Sequence, residues 1–342
     1  MSKIYFRPCG LVYGPDAADM MIEGRGASLG GFSSIAYTVL ERIERSAGGK
    51  LTRSFEAGSL PRTALIPGFL DQGRPLVMGI VNVTPDSFSD GGLAATTESA
   101  ISHGVELARQ GADILDVGGE STRPGSDGVP QDEELRRVLP VIEGLAARGF
   151  KVSVDTRKAR VMREALAAGA RLVNDVAALT FDPQAMDVMA EASCPVILMH
   201  AQGDPKTMQL SPQYENVALD VYDWLAGRIE ACERAGIARE RLVADPGIGF
   251  GKSFRHNLDV LRQFTLYHGL GVPLLMGLSR KGFIGALTGQ KLAGERVHGS
   301  VGGAVWAALN GAHILRVHDV QATVEALAVA RAALDPDSSG LS

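Results

Sequence analysis

Asp155, Asn174 and Asp245 each stand at the end of a short apolar run. A carboxylate accepts two hydrogen bonds from an amino–imino edge, and an amide donates and accepts at once. Together they suit a flat, guanidine-like heterocycle. Arg123, Lys281, Arg316 and His318 follow similar runs and are donors. With helix N-termini beside them, such groups suit a phosphorylated anion. The implied site is bipartite, with one wall for a ring and one for a polyanion. No His, Asp and Glu cluster has zinc-site spacing. Asn82, and Asp116 after it, offer oxygen ligands that with substrate phosphates suit Mg2+, which keeps most of its waters.

Each of these residues has a plainer structural role available. Asp, Asn and Ser commonly cap helices at strand-to-helix joints. Arg and Lys are poor N-caps, because a helix N-terminus is itself partly positive. Both signs at successive joints exceed what capping explains. His200 suits a ligand or a satisfied structural histidine equally, and Cys194 reads as core. Asp245-Pro-Gly-Ile-Gly-Phe-Gly-Lys252 carries Pro246 where a P-loop needs glycine, so it reads as a flexible loop shaping the site. Asn82-Val-Thr84 is a formal glycosylation sequon, without meaning in a cytosolic protein.

The elements that must position these groups are legible from Arg74 onward. Short apolar runs fall at 76–81, 114–117, 152–154, 172–173, 196–199, 242–244, 274–276 and 314–317. They predict strands buried on both faces. Helical patterns lie between them at 98–110, 132–148, 158–168, 183–192, 214–235, 257–267, 294–309 and 320–334. This α/β alternation predicts a (β/α)8 TIM barrel with eight parallel strands, whose catalytic groups stand at the C-terminal strand ends. A doubly wound sheet competes, but it would carry a glycine-rich fingerprint after its first strand. Asn82-Val-Thr-Pro-Asp-Ser-Phe is no such fingerprint. The strand ends in order are Asn82, Asp116, Asp155, Asn174-Asp175, His200, Asp245, Ser279-Arg280-Lys281 and Arg316, with His318 beyond the last. Residues 71–338 read as the catalytic domain. Residues 1–70 read as an N-terminal extension of unknown role packed on the barrel, with a helix-like stretch near 34–45.

Composition bounds the rest. The chain has 342 residues, 45% of them hydrophobic, enough for a large core. A net charge of -5 lacks the basic excess of a nucleic-acid binder, so no nucleic-acid partner is expected. Three scattered cysteines exclude a disulfide framework and fit a reducing compartment. No run approaches the roughly 20 apolar residues of a membrane helix, so a soluble, cytoplasmic protein is expected.

The motifs resemble those of the dihydropteroate synthase family. They run from Met78-Gly-Ile-Val-Asn-Val-Thr-Pro-Asp-Ser-Phe-Ser-Asp-Gly-Gly92 and Asp113-Ile-Leu-Asp-Val-Gly-Gly-Glu-Ser-Thr-Arg-Pro-Gly125, through Val152–Thr156, Val173–Val176 and Leu198–His200. Asp245–Lys252, Leu278–Lys281, Arg296–Ser300 and Arg316–Val320 complete them, so the resemblance covers about 75–335. It implies condensation of a dihydropterin-methyl diphosphate with 4-aminobenzoate through an SN1-like loss of diphosphate. By that resemblance Asp155, Asn174, Asp245 and Lys281 hold the pterin, with Met199 against its ring. Asn82 helps hold Mg2+, and Thr122, Arg316 and His318 bind diphosphate. Asp116 and Arg123 support catalysis. Phe88, Pro124, Phe250 and Ser279 line the aminobenzoate pocket when the loops over 85–92 and 122–128 close. Sulfonamides are the implied competitors, and a homodimer through the last helices is the implied assembly.

Two rival functions share part of this pattern. A pterin-binding methyltransferase acting from methyltetrahydrofolate to a corrinoid would keep the ring wall, but not the diphosphate donors Arg316 and His318. An inactive pterin-binding paralogue would keep the fold.

Overall fold

The computed structural model describes residues 2–66, 68–70, 73–83, 92–121, 128–203 and 207–339, without the side chains of 92–95 and 339. The chain opens with β1 (Lys3–Tyr13), α1 (Gly14–Ile22), β2 (Ala27–Ser28), β3 (Ile35–Arg45) and β4 (Leu51–Glu56). β3 is the centre of this antiparallel sheet. β1 pairs along one side of it, from Lys3 opposite Arg45 to Tyr13 opposite Ile35, and β2 and β4 share the other side. The helix expected near 34–45 is therefore a strand. Leu-Glu-Arg-Ile-Glu-Arg has helix-forming content, but Ile35, Tyr37, Thr38 and Val39 favour a pleated surface, and the long partner strand decides the case. Tyr5 and Ile43, paired across the sheet, are buried against Ala218, Leu219 and Leu266.

The barrel strands follow as β5 (Leu76–Asn82), β6 (Ile114–Gly118), β7 (Val152–Asp155), β8 (Leu172–Asp175), β9 (Val196–Met199), β10 (Leu242–Asp245), β11 (Leu275–Met276) and β12 (Ile314–Val317). Among the described residues these are the eight expected strands. They form one parallel sheet in the order β10-β9-β8-β7-β6-β5-β12-β11. A parallel bridge between Ala244 and Leu274 brings its two ends together.

Between the strands lie α2 (Gly92–Arg109), α3 (Gln131–Ala146), α4 (Ala159–Ala167), α5 (Ala185–Glu191), α6 (Val217–Arg234), α7 (Phe254–Arg262), α8 (Gly282–Thr288), α9 (Val297–Leu309) and α10 (Val320–Leu334). The helix expected over 257–267 stops at Arg262, and a 3-10 turn over Phe264–Leu270 follows. No helix of the described residues is long and apolar enough to cross a membrane.

Period-two alternation sorts each strand into two faces. Val77, Leu115, Val154, Val173, Leu198 and Leu242 face the helices and join the main core. Leu76, Met78, Ile114, Leu172, Ile197, Val243, Leu275 and Ile314 face inward and form a separate apolar plug. Ile66 and Leu70 close that plug from below. This packing sets the next inward residue of most strands, two positions on, at the opposite end of the barrel.

Candidate active site

Counting on from the plug gives the inward residues of the C-terminal rim. Ile114 leads to Asp116, Leu172 to Asn174, Ile197 to Met199, Val243 to Asp245 and Ile314 to Arg316. The parallel register agrees: Asp116 lies opposite Ser153, Asp155 opposite Asn174, and Asp245 opposite Met199. β11 contributes no side chain here. A Cβ at Gly277 would stand 3.8 Å from Arg316 Cβ and 3.9 Å from Asp245 Oδ2, so glycine keeps the cavity open.

These residues converge on one network. Arg316 donates from Nε to Asp116 Oδ2 (2.6 Å) and from Nη2 to Asp155 Oδ2 (2.7 Å). Asn174 donates to the same Asp116 oxygen at 3.0 Å. The second oxygens, Asp116 Oδ1 and Asp155 Oδ1, are buried and make no hydrogen bond among the described residues, and the same holds for Ser153 Oγ. Burial pushes Asp155 up to about 7, against the pull of Arg316 and with the push of Asp116. Asp245 rises to about 6 through burial, although the Gly247 amide donates to it at 2.7 Å and Lys281 attracts it. Buried, under-bonded acceptors carry a free-energy cost that a ligand's donors would relieve.

The turn after β11 presents the next group. Arg280 lies in the left-handed region with φ +59°. Its amide donates to Ser300 Oγ (2.8 Å), Arg296 donates to its carbonyl (3.0 Å), and its guanidinium pairs with Asp319. Arg280 is thus turned outward to Asp319, and its neighbours face the cavity. His318 donates from its amide to Ser279 Oγ at 3.2 Å, and its Nδ1 lies 3.1 Å from that oxygen. Lys281 Nζ sits 3.9 Å from the centre of the Phe250 ring.

The pattern of the pterin binding enzyme family matches residues 78–318. Dihydropteroate synthase of Escherichia coli (strain K12) is 50% identical over 267 residues, 78% of this chain and 94% of the relative. Among solved structures, Xanthomonas albilineans dihydropteroate synthase with 4-aminobenzoic acid is 53% identical. It covers 80% of this chain and 98% of its own, with a TM-score of 0.73. The same enzyme in complex with 7,8-dihydropteroate is 51% identical with a TM-score of 0.71, at the same coverage. The chain belongs to the dihydropteroate synthases. That membership makes it a transferase of folate biosynthesis.

The sequence of a dihydropteroate synthase did not disclose every contact. Asp116 was expected to support catalysis, and here it joins Arg316 to Asn174. His200 is not a rim ligand. Its side chain leaves the cavity, packs edge-on against Trp224, and lies 2.9 Å from Lys252 Nζ through Nδ1. Asp175 also turns away and accepts from the amides of Ala177 (2.7 Å) and Leu179 (2.8 Å). The glycine-rich loop after β10, expected to be flexible, is pinned around the buried Lys252. Cys194 is half-buried at the margin of the core. Phe88, Thr122, Arg123 and Pro124, with most of both loops expected to close, lie outside the described residues.

Arg296 and Ser300 belonged to a motif with no assigned task, and both support the Arg280 turn. Their signal was the motif itself, which sits at a helix start where the sequence does not show that the partner is the Arg280 turn. Among the described residues no three His, Cys, Asp or Glu are grouped to hold a metal. The rim instead offers the half-buried Asn82, on the inward face of β5, and the unpartnered Asp116 oxygen. Hard oxygen donors in that small number fit a Mg2+ arriving with a phosphorylated substrate.

Proposed function

We propose that the chain condenses (7,8-dihydropterin-6-yl)methyl diphosphate with 4-aminobenzoate to give 7,8-dihydropteroate and diphosphate. The observation that carries this reading is the Asp116–Arg316–Asp155–Asn174 network with its two unpartnered carboxylate oxygens. Donors on the pterin's amino–imino edge would bond Asp155 and Asp245 and draw both back toward the charged form. They would also compete with Arg316 for Asp155. A guanidinium released from that contact can turn to the diphosphate beside His318, and Thr122 is assigned to the same anion by the family motif alone. The methylene–oxygen bond then breaks with its electron pair leaving on diphosphate. Arg316 and His318 stabilise that charge, and the electron-rich ring spreads the cation. The free arylamine of 4-aminobenzoate attacks the methylene and afterwards loses its proton, so no covalent enzyme intermediate forms. Met199, Phe250, Ser279 and Lys281 supply the described walls, and Phe88, Pro124 and Arg123 are assigned to the closing loops. Water is excluded by that closure, because it would otherwise capture the cation.

Asn82 would hold Mg2+ through its amide oxygen, and Mg2+ when bound would offset charge on the diphosphate. Sulfonamides would compete for the aminobenzoate pocket. A cytoplasmic homodimer through the last helices is the assembly we assign. The exposed Val329 on α10, 71% accessible, supports it, as does an apolar cleft of about 850 Å³ bordered by α9 and α10.

The test incubates purified protein with the pterin diphosphate, 4-aminobenzoate and Mg2+. 7,8-Dihydropteroate and diphosphate should form in equal amounts, and their formation should stop with EDTA and resume with added Mg2+. A folded sample that makes neither product refutes the assignment, and full turnover in EDTA refutes the metal.

A further inference from the structure

The loop after β10 folds around one buried lysine, Lys252. Lys252 Nζ lies 2.9 Å from His200 Nδ1, and donates to Gly247 O at 2.9 Å and Phe250 O at 3.1 Å. The His200 carbonyl stands at 3.5 Å. Burial pulls Lys252 down to about 7, against the attraction of Asp245. In its charged form the ammonium has three protons and the three short contacts use all of them, with His200 accepting through Nδ1. Burial of His200, and then the charge of Lys252, hold the imidazole pKa down to about 2, so it stays neutral.

The glycines make this wrapping possible. Gly247, Gly249 and Gly251 have φ of +67°, +82° and +58°. A Cβ at Gly247 would drive into the His200 carbonyl, and one at Gly251 into the Gln202 carbonyl. The loop therefore lies flat on the end of β9, where only glycine fits. Asn257 and Tyr214 secure it from outside through Gly249 N (2.7 Å) and Gly251 O (2.8 Å). One of the carbonyls Lys252 holds belongs to Phe250, whose ring faces the Lys281 ammonium.

We propose that Lys252 is a positioning residue for the aminobenzoate side of the cavity, tying the loop after β10 to the end of β9 so that Phe250 stays against Lys281. This rests on the synthase reading above. Lys252 reaches no substrate. It acts on Phe250; of the pterin wall, Asp155 and Asn174 make no contact with it, and Asp245 meets only its charge and the Gly247 turn it holds.

The test compares Lys252→Met with wild type in steady-state kinetics. The KM for 4-aminobenzoate should rise about tenfold, as expected when roughly 1.4 kcal/mol of positioning is lost. The KM for the pterin diphosphate should stay within twofold. In a Phe250→Leu background, Lys252→Met should add less than twofold, since its target is already gone. An unchanged aminobenzoate KM, equal rises for both substrates, or a full additional loss on Phe250→Leu would each overturn the proposal. If Lys252→Met does not fold, His200→Phe decides by the same selectivity, because it removes one acceptor and keeps the Trp224 contact. A crystal structure of the folded variant gives a readout free of turnover. Phe250 displaced from Lys281 supports the proposal, and an unmoved ring overturns it. Wild type without turnover would refute the synthase reading and leave this structural result standing.

Discussion

Two arginines in this molecule each bridge two aspartates, and they serve opposite ends. Arg316 holds Asp116 and Asp155 at the barrel rim. Arg45 holds Asp220 and Asp223 where the N-terminal sheet meets α6. At the seam the aspartates are well partnered. Asp220 also accepts from the Asn216 amide at 3.0 Å, and Asp223 from Lys3 (2.9 Å) and Tyr5 (3.0 Å). At the rim each aspartate keeps one buried oxygen without a partner. The same chemistry is completed by the protein in one place and left for a ligand in the other. Joining elements calls for satisfied groups, whereas a binding wall needs acceptors still to be filled.

Removing the two arginines should separate these roles, and the rim shows the larger effect. Arg316→Ala should lower kcat/KM for the pterin diphosphate by about 10²- to 10³-fold, the usual loss of one charge-stabilising donor. Binding of the diphosphate-free pterin should weaken far less, and equal losses in calorimetry would remove the assigned role. Arg45→Ala should leave both KM values unchanged. It should lower unfolding free energy by about 1–3 kcal/mol, because two aspartates lose a charged partner. A change in turnover at the seam, or in stability alone at the rim, would erase the distinction.

The sequence disclosed these ends unequally. All eight barrel strands were legible because a strand buried on both faces is a continuous apolar run, such as Val196–Met199. Once the strands were placed, Asp155, Asn174, Asp245 and Arg316 followed from the rule that active groups stand at strand ends. What was hidden depends on pairing across long separations. β3 is a strand because β1 lies beside it, a partner that its own helix-like second half cannot announce. Asp116 and Arg316 are 200 residues apart, so each suggested a ligand contact and neither revealed the other. Lys252 read as part of a loose loop, since glycine spacing records permitted turns and says nothing of what the turns enclose.

The smallest effect is also the most diagnostic, because pH pushes the rim and a third region, the barrel base, in opposite directions. Asp155 and Asp245 titrate near 7 and 6 in the fold, raised by burial above their ordinary 3.8. The folded chain therefore holds more protons than the unfolded one between those limits. Their contribution to stability is full below about pH 4 and is lost as pH rises through 6 to 7. At the barrel base, burial lowers His268 to about 3 and His313 to about 4 from 6.5. His313 is neutral by construction, accepting from the Leu274 amide (3.0 Å) and bonding Gly30 O (2.8 Å). Here the unfolded chain binds the extra protons, so stability is full above pH 6.5 and falls as pH drops. Asp245→Asn removes one rim contribution and spares the base. The variant should gain about 1 kcal/mol over wild type at pH 8, a Tm rise of roughly 2 °C, and nothing at pH 4. Its acid-side loss, set by the histidines, should remain. Saturating pterin should reverse the gain, because the wild-type carboxylate then has the donors it lacked. A variant less stable than wild type by the same amount at every pH would show that Asp245 is a satisfied structural group like Asp223.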